Sequence, residues 1–116
     1  MTPSPPLQID SNHWVLIQGI LRKHVPSYEV WAFGSRVRGT ATRFSDLDLV
    51  ILSDIPLSLD VIGRLKDAFS ESDLPWKVDV IDWATTIQSF QEKIIQQKVI
   101  IYTPSPTLPK AEGDNG

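Results

Sequence analysis

Four short apolar runs, at residues 29–33 (EVWAF), 46–52 (DLDLVIL), 77–83 (KVDVIDW) and 99–102 (VIIY), are separated by segments with helical spacing. Runs this short, rich in Val, Ile, Phe and Trp, suit buried strands better than helices. Residues 10–24 carry Trp14, Ile17 and Leu21 at helical spacing, with Asp10 or Ser11 placed to cap the start and Pro26 ending the run. Residues 60–69 set Val61 or Ile62, Leu65 and Phe69 on one helical face, and Pro75 comes after them. Ile87, Phe90 and Ile94 mark a further helix, with Thr85 and Gln88 spaced as a capping box. The order α-β-β-α-β-α-β predicts an α/β (α+β) domain, with one small mixed β-sheet and helices packed on it.

Composition narrows the function classes. At 41% hydrophobic and 22% charged residues the chain is globular, not collagen-like or wholly disordered. Eleven Lys and Arg against fourteen Asp and Glu give a net charge of −3, which argues against direct nucleic-acid binding as a main activity. A small local basic site stays open. The absence of cysteine excludes disulfides and thiolate metal ligands. No apolar run approaches the roughly 18–20 residues of a membrane span, and no apolar signal segment comes after the start, so a cytoplasmic protein without a membrane partner is expected. Three of the nine prolines fall in residues 1–6 and three in residues 104–116. Residues 1–6 are therefore expected to be a disordered N-terminus, 7–102 the folding unit, and 103–116 a disordered or partner-ordered Pro-rich tail.

Chemistry concentrates in residues 33–52, FGSRVRGTATRFSDLDLVIL. In a strand, positions i and i+2 share a face, so Asp46 and Asp48 present two carboxylates together while Leu47 and Leu49 face away. Like charges this close repel, and a bound cation relieves the repulsion. Oxygen-only ligands point to a hard ion such as Mg²⁺, which is commonly held by one or two carboxylates plus substrate phosphates. The ordinary alternative for Asp-x-Asp alone is two solvated aspartates on an edge strand. In the preceding loop, Gly34 permits close approach of backbone to a phosphate, and Ser35 offers a hydroxyl and can begin a helical turn whose amides favour anions. Arg36, Arg38 and Arg43 add three positive charges. Alone, this loop is also met by an ordinary turn with solvated arginines.

Gly34-Ser35, ten residues, then Asp46-x-Asp48 resembles the signature of minimal nucleotidyltransferases of the polymerase-β-like superfamily. The fuller run GSRVRGTATRFSDLDL is similar to the MNT proteins that act as antitoxins beside HEPN-domain toxins. The resemblance implies the nucleotidyltransferase fold and a third carboxylate early in a neighbouring strand. Residues 77–83 offer Asp79 and Asp82, which alternate to opposite faces, so one alone can join the pair. The family pattern selects Asp79; Asp82 then ends the strand or caps the segment after it.

By resemblance, Asp46, Asp48 and Asp79 are the catalytic and metal-binding residues, with two Mg²⁺ ions as cofactors and ATP as substrate. Gly34, Ser35, Arg36 and Arg38 bind the nucleotide phosphates, with Arg38 and Arg43 open between phosphate, partner and solvent. The implied reaction transfers AMP from ATP to a tyrosine of a HEPN ribonuclease toxin, as the antitoxin of a type VII-like toxin–antitoxin system. A unit of about 96 residues leaves little room for an acceptor-binding domain, so the partner would supply it. Neither His13 nor His24 is preceded by an arginine at the spacing of the HEPN nuclease motif, so this chain is not the nuclease, and both histidines suit a helix surface. Two alternatives remain: an antitoxin that neutralises by binding alone, and a transferase for a small molecule such as an antibiotic. Trp14, Trp31 and Trp83 suit the core; Trp76, in a loop, is a candidate for exposure at an interface. The VIIY run is a candidate sheet edge.

Overall fold

The computed structural model describes residues 9–38 and 45–104. Its elements in order are α1 (Ser11–His24), β1 (Val30–Phe33), α2 (Ser35–Arg38), β2 (Leu47–Ile51), α3 (Leu59–Ser70), β3 (Val78–Asp82), a 3₁₀ turn (Trp83–Thr85), α4 (Gln88–Gln97) and β4 (Val99–Tyr102). The expected N-terminal segment 1–6, Gly39 and Arg43 of the basic loop, and the tail from residue 105 onward lie outside the described residues, as does the side chain of Arg38.

The sheet runs β3-β2-β1-β4 and is mixed, as expected. Strand β1 pairs antiparallel with β2 and β4, whereas β2 and β3 are parallel. A parallel pair needs a long crossover, and α3 supplies it. Ser58 caps α3 by accepting from the Val61 N–H at 3.1 Å. The edge strands are β3 and β4. Strand β2 is interior, so the edge-strand alternative for Asp48 fails.

Period-2 alternation divides the apolar residues between two faces. Val30, Ala32, Leu47, Leu49, Ile51 and Val80 pack with Ile17 and Leu21 of α1 and Leu65 and Phe69 of α3. On the opposite face, Trp31, Phe33 and Val50 pack with Ile94 of α4. Each fully buried aliphatic side chain contributes about 1.5–3 kcal/mol of transfer free energy. Asp48 and Asp79 belong by alternation to the α4 face, which one helix covers.

Several local expectations change. Asp10 is the N-cap residue of α1 but makes no side-chain cap hydrogen bond. The capping box at Thr85 and Gln88 is absent: Ile87 is the N-cap of α4, and the Thr85 hydroxyl instead donates to Asp82. The reason is that Trp83 leaves the strand for the 3₁₀ turn, bringing Thr85 back onto the Asp82 carboxylate. Of the apolar stripe on α4, Ile94 is buried, Phe90 is partly exposed and packs edge-on to Phe33, and Ile87 is exposed at the helix start. Trp31 is buried, while Trp14 and Trp83 are half-buried against the two core clusters.

Candidate active site

Strand β1 stops because Gly34 turns the chain with φ = 86°, a left-handed conformation that L side chains rarely adopt. The turn feeds directly into the single helical turn α2, where the Val37 N–H donates to the Gly34 carbonyl at 3.1 Å. Glycine is also required sterically, because a Cβ here would collide with the Asp48 carboxylate. The glycine-serine turn and the first carboxylate of the interior strand are thus in direct contact. The Gly34 N–H donates to Oε1 of Gln97, at the end of α4, at 3.1 Å.

Register brings the carboxylates together. In the parallel pair, Asp48 of β2 stands opposite Asp79 of β3, so both project from the α4 face. Phe33 stands opposite Asp48 on the other side. Asp46 precedes β2 by one residue and is exposed. Asp79 has the Lys77 ammonium 3.5 Å away, a pair that solvent screens because both groups are substantially exposed. Asp82 points the other way and is 6% exposed, where it accepts from the backbone N–H of Leu57 at 2.9 Å and of Thr85 at 3.2 Å. Asp82 therefore caps the turn after β3 and ties down the loop before α3.

The donor set of Asp46, Asp48 and Asp79 is all oxygen, which fits a hard divalent cation. Two of its members are side by side, and the third lies two residues upstream of Asp48. Among the described residues no three such ligands converge closely enough to hold an ion. Neighbouring carboxylates repel one another, and Asp79 is turned to Lys77. A cavity of about 830 Å³ opens beside the pair, with Asp48, Asp79, Lys77, Phe33, Phe90 and Trp76 in its wall.

Arg36 lies against Trp76 of that wall. Its Nε–H donates to the Ser45 carbonyl at 2.9 Å, and its guanidinium carbon lies 4.4 Å from the centre of the Trp76 ring. Burial lowers its pKa from the ordinary value, and the Asp46 charge opposes that shift. The group remains a cation at any physiological pH. Trp76, half-buried instead of exposed, also meets the His13 ring edge-on at 5.9 Å. The structure thus gathers Gly34, Ser35, Arg36, Asp46, Asp48 and Asp79 around the adjacent ends of β1, β2 and β3. Sequence reasoning missed the contacts of Trp76, Lys77 and Gln97. A tryptophan immediately before a strand that carries a candidate carboxylate was the available signal for the first; the partner of Gln97 is 63 positions away and leaves no periodic trace.

A family model described as polymerase beta nucleotidyltransferase matches residues 16–107. Over 110 residues the chain is 50% identical to the probable protein adenylyltransferase MntA of Haemophilus influenzae, a span that covers 95% of this chain and 96% of that relative. Among solved structures, a toxin-antitoxin complex with AMP-PNP matches with a TM-score of 0.66 at 24% identity, over 78% of this chain and 73% of the matched one. A complex of the tri-AMPylated Shewanella oneidensis HEPN toxin with its MNT antitoxin matches with a TM-score of 0.61 at 18% identity, over 82% and 73%. At these identities the structural likeness establishes the fold.

Proposed function

This chain belongs to the polymerase beta nucleotidyltransferase family, and on that premise we propose that it transfers AMP from ATP to a hydroxyl of a partner protein. The observation that carries the reading is the placement of Asp48 beside Asp79 on one sheet face, with Asp48 packed against Gly34. The near full-length relative called a probable protein adenylyltransferase supports the acceptor class. The partner we infer is a HEPN-domain toxin, because the AMPylated protein in a matched complex is one. A tyrosine hydroxyl is the acceptor on this reading, and the chain serves as an antitoxin. The protein then works in the cytoplasm, where its ATP substrate is.

Asp46, Asp48 and Asp79 would hold Mg²⁺, two ions in all. Bound Mg²⁺ neutralises triphosphate charge and lowers the pKa of an attacking hydroxyl. The remaining roles belong to the chain. Gly34 and Ser35 seat the β- and γ-phosphates, with Arg38 available from the same turn. The acceptor oxygen attacks the α-phosphorus, the bond to the β-phosphate oxygen breaks, and pyrophosphate leaves. On this reading Arg36, a permanent cation beside the glycine-serine turn, stabilises the charge that grows on that leaving group. Asp79 takes the acceptor proton, and the lack of a Cβ at Gly34 leaves room for the Asp48 carboxylate beside the turn.

The test incubates purified chain with Mg²⁺, α-labelled ATP and a HEPN protein encoded beside it. Label on the partner is expected, and Asp48→Asn is expected to lower the rate by on the order of 100-fold or more. Absence of label with folded chains overturns the reading. Neutralisation of the toxin by Asp48→Asn at equal expression would show that binding alone suffices.

A further inference from the structure

We propose that Trp76 is a positioning residue that holds the Arg36 guanidinium at the nucleotide site, an inference that rests on the transferase reading above. Contacts from the approaches to two different strands hold the guanidinium. One is the Ser45 carbonyl, directly before Asp46 and the start of β2. The other is the Trp76 ring, two residues before the start of β3 and three before Asp79. The two approaches are themselves tied by the Leu47 N–H donating to the Lys77 carbonyl at 2.9 Å. Arg36 therefore spans the entrances of both carboxylate strands.

A guanidinium at 4.4 Å from an indole centre is within cation–π range, and Arg stacks its plane on such rings. The stack restricts a long, rotamer-rich side chain to one orientation before substrate arrives. The ring is braced in turn. His13 of α1 meets it edge-on at an interplanar angle of 77°, and its apolar body packs against the main core. The guanidinium remains charged while stacked, since Asp46 acts on it and burial is incomplete. Trp76 itself touches no reacting atom; it acts through Arg36.

The experiment combines kinetics with NMR on the full chain. Trp76→Leu is expected to lower kcat/KM for ATP by about three- to thirtyfold. Trp76→Phe, which keeps an aromatic face, is expected to recover most of that loss. In an Arg36→Ala background, Trp76→Leu is expected to cost less than about twofold, because the partner it positions is gone. A structural role alone would give the same loss in both backgrounds, and that result overturns the proposal. Independently, the Arg36 Hε resonance of the wild-type chain is expected to be shifted upfield by the indole ring current and slow to exchange. An Hε at the free-arginine position exchanging at solvent rate overturns the proposal whether or not any variant folds. If the wild-type chain transfers no nucleotide, the transferase reading falls, and the Hε measurement still decides what Trp76 does.

Discussion

At the residue scale, two positions have sharply defined requirements. Gly34 combines a positive φ with a carboxylate lying where a Cβ would be. Gly34→Ala is expected to cost about 1–2 kcal/mol from backbone strain alone, and to displace Asp48. Denaturant unfolding and transfer rate should fall together, with activity falling further than the stability loss explains. Ser53 makes the opposite case. It is 2% exposed, two residues after the end of β2, and its hydroxyl has no hydrogen-bond partner among the described residues. A buried hydroxyl without a partner is a desolvation cost. Ser53→Ala is therefore expected to raise stability by up to about 1 kcal/mol, read as a higher denaturant midpoint with an unchanged m-value. Gly34 could be singled out from its place between a strand and the basic loop. Nothing in the sequence around Ser53 signals burial, because a serine after a strand is ordinarily exposed.

At the scale of elements, the junction after β3 is the feature that most depends on one side chain. Asp82 gathers the Leu57 N–H, the Thr85 N–H and the Thr85 hydroxyl, joining the loop before α3 to the 3₁₀ turn. Burial pushes its carboxyl up, but these hydrogen bonds together outweigh burial, and the group lies below its ordinary 3.8. A carboxyl depressed in the fold stabilises above the unfolded value and loses that contribution as pH falls through the folded value. Thermal midpoints of the wild-type chain are thus expected to decline below about pH 4. In Asp82→Asn, which does not ionise, that part of the decline is expected to disappear. The same substitution at pH 7 is expected to cost about 1–3 kcal/mol, since an amide cannot accept all three bonds. Strand and helix types were legible from period 2 and period 3.6. The capping of α4 was not, because the Thr85 hydroxyl is drawn back to donate to Asp82, whose carboxylate the 3₁₀ turn brings into reach.

For the whole molecule, the decisive asymmetry lies between the two faces of the sheet. One is closed by α1 and α3, and the other carries α4 alone. That leaves the end of the sheet near Asp48 and Asp79 open to a cavity. Ile94 anchors α4 as the one fully buried residue of that helix. Ile94→Ala is expected to cost about 2–5 kcal/mol and to loosen Gln97 from the Gly34 amide, which hydrogen exchange at Gly34 would report as faster exchange. Among the described residues every buried core side chain lies between Ile17 and Tyr102. No helix among the described residues is long and apolar enough to cross a membrane.

Local periodicity encodes four strands, the main helices and the side to which Asp48 projects, and the glycine marks the turn between β1 and β2. Periodicity also separates Asp79 from Asp82, because strand alternation is a local rule. Tertiary structure decided the neighbours. Asp79 comes beside Asp48 because α3 returns the chain for a parallel pairing in one particular register. Arg36 meets Trp76, and Gly34 meets Gln97, across 40 and 63 positions of sequence. Such contacts are set by how elements pack against a common sheet, and the energy that selects them appears only after the chain has closed those loops.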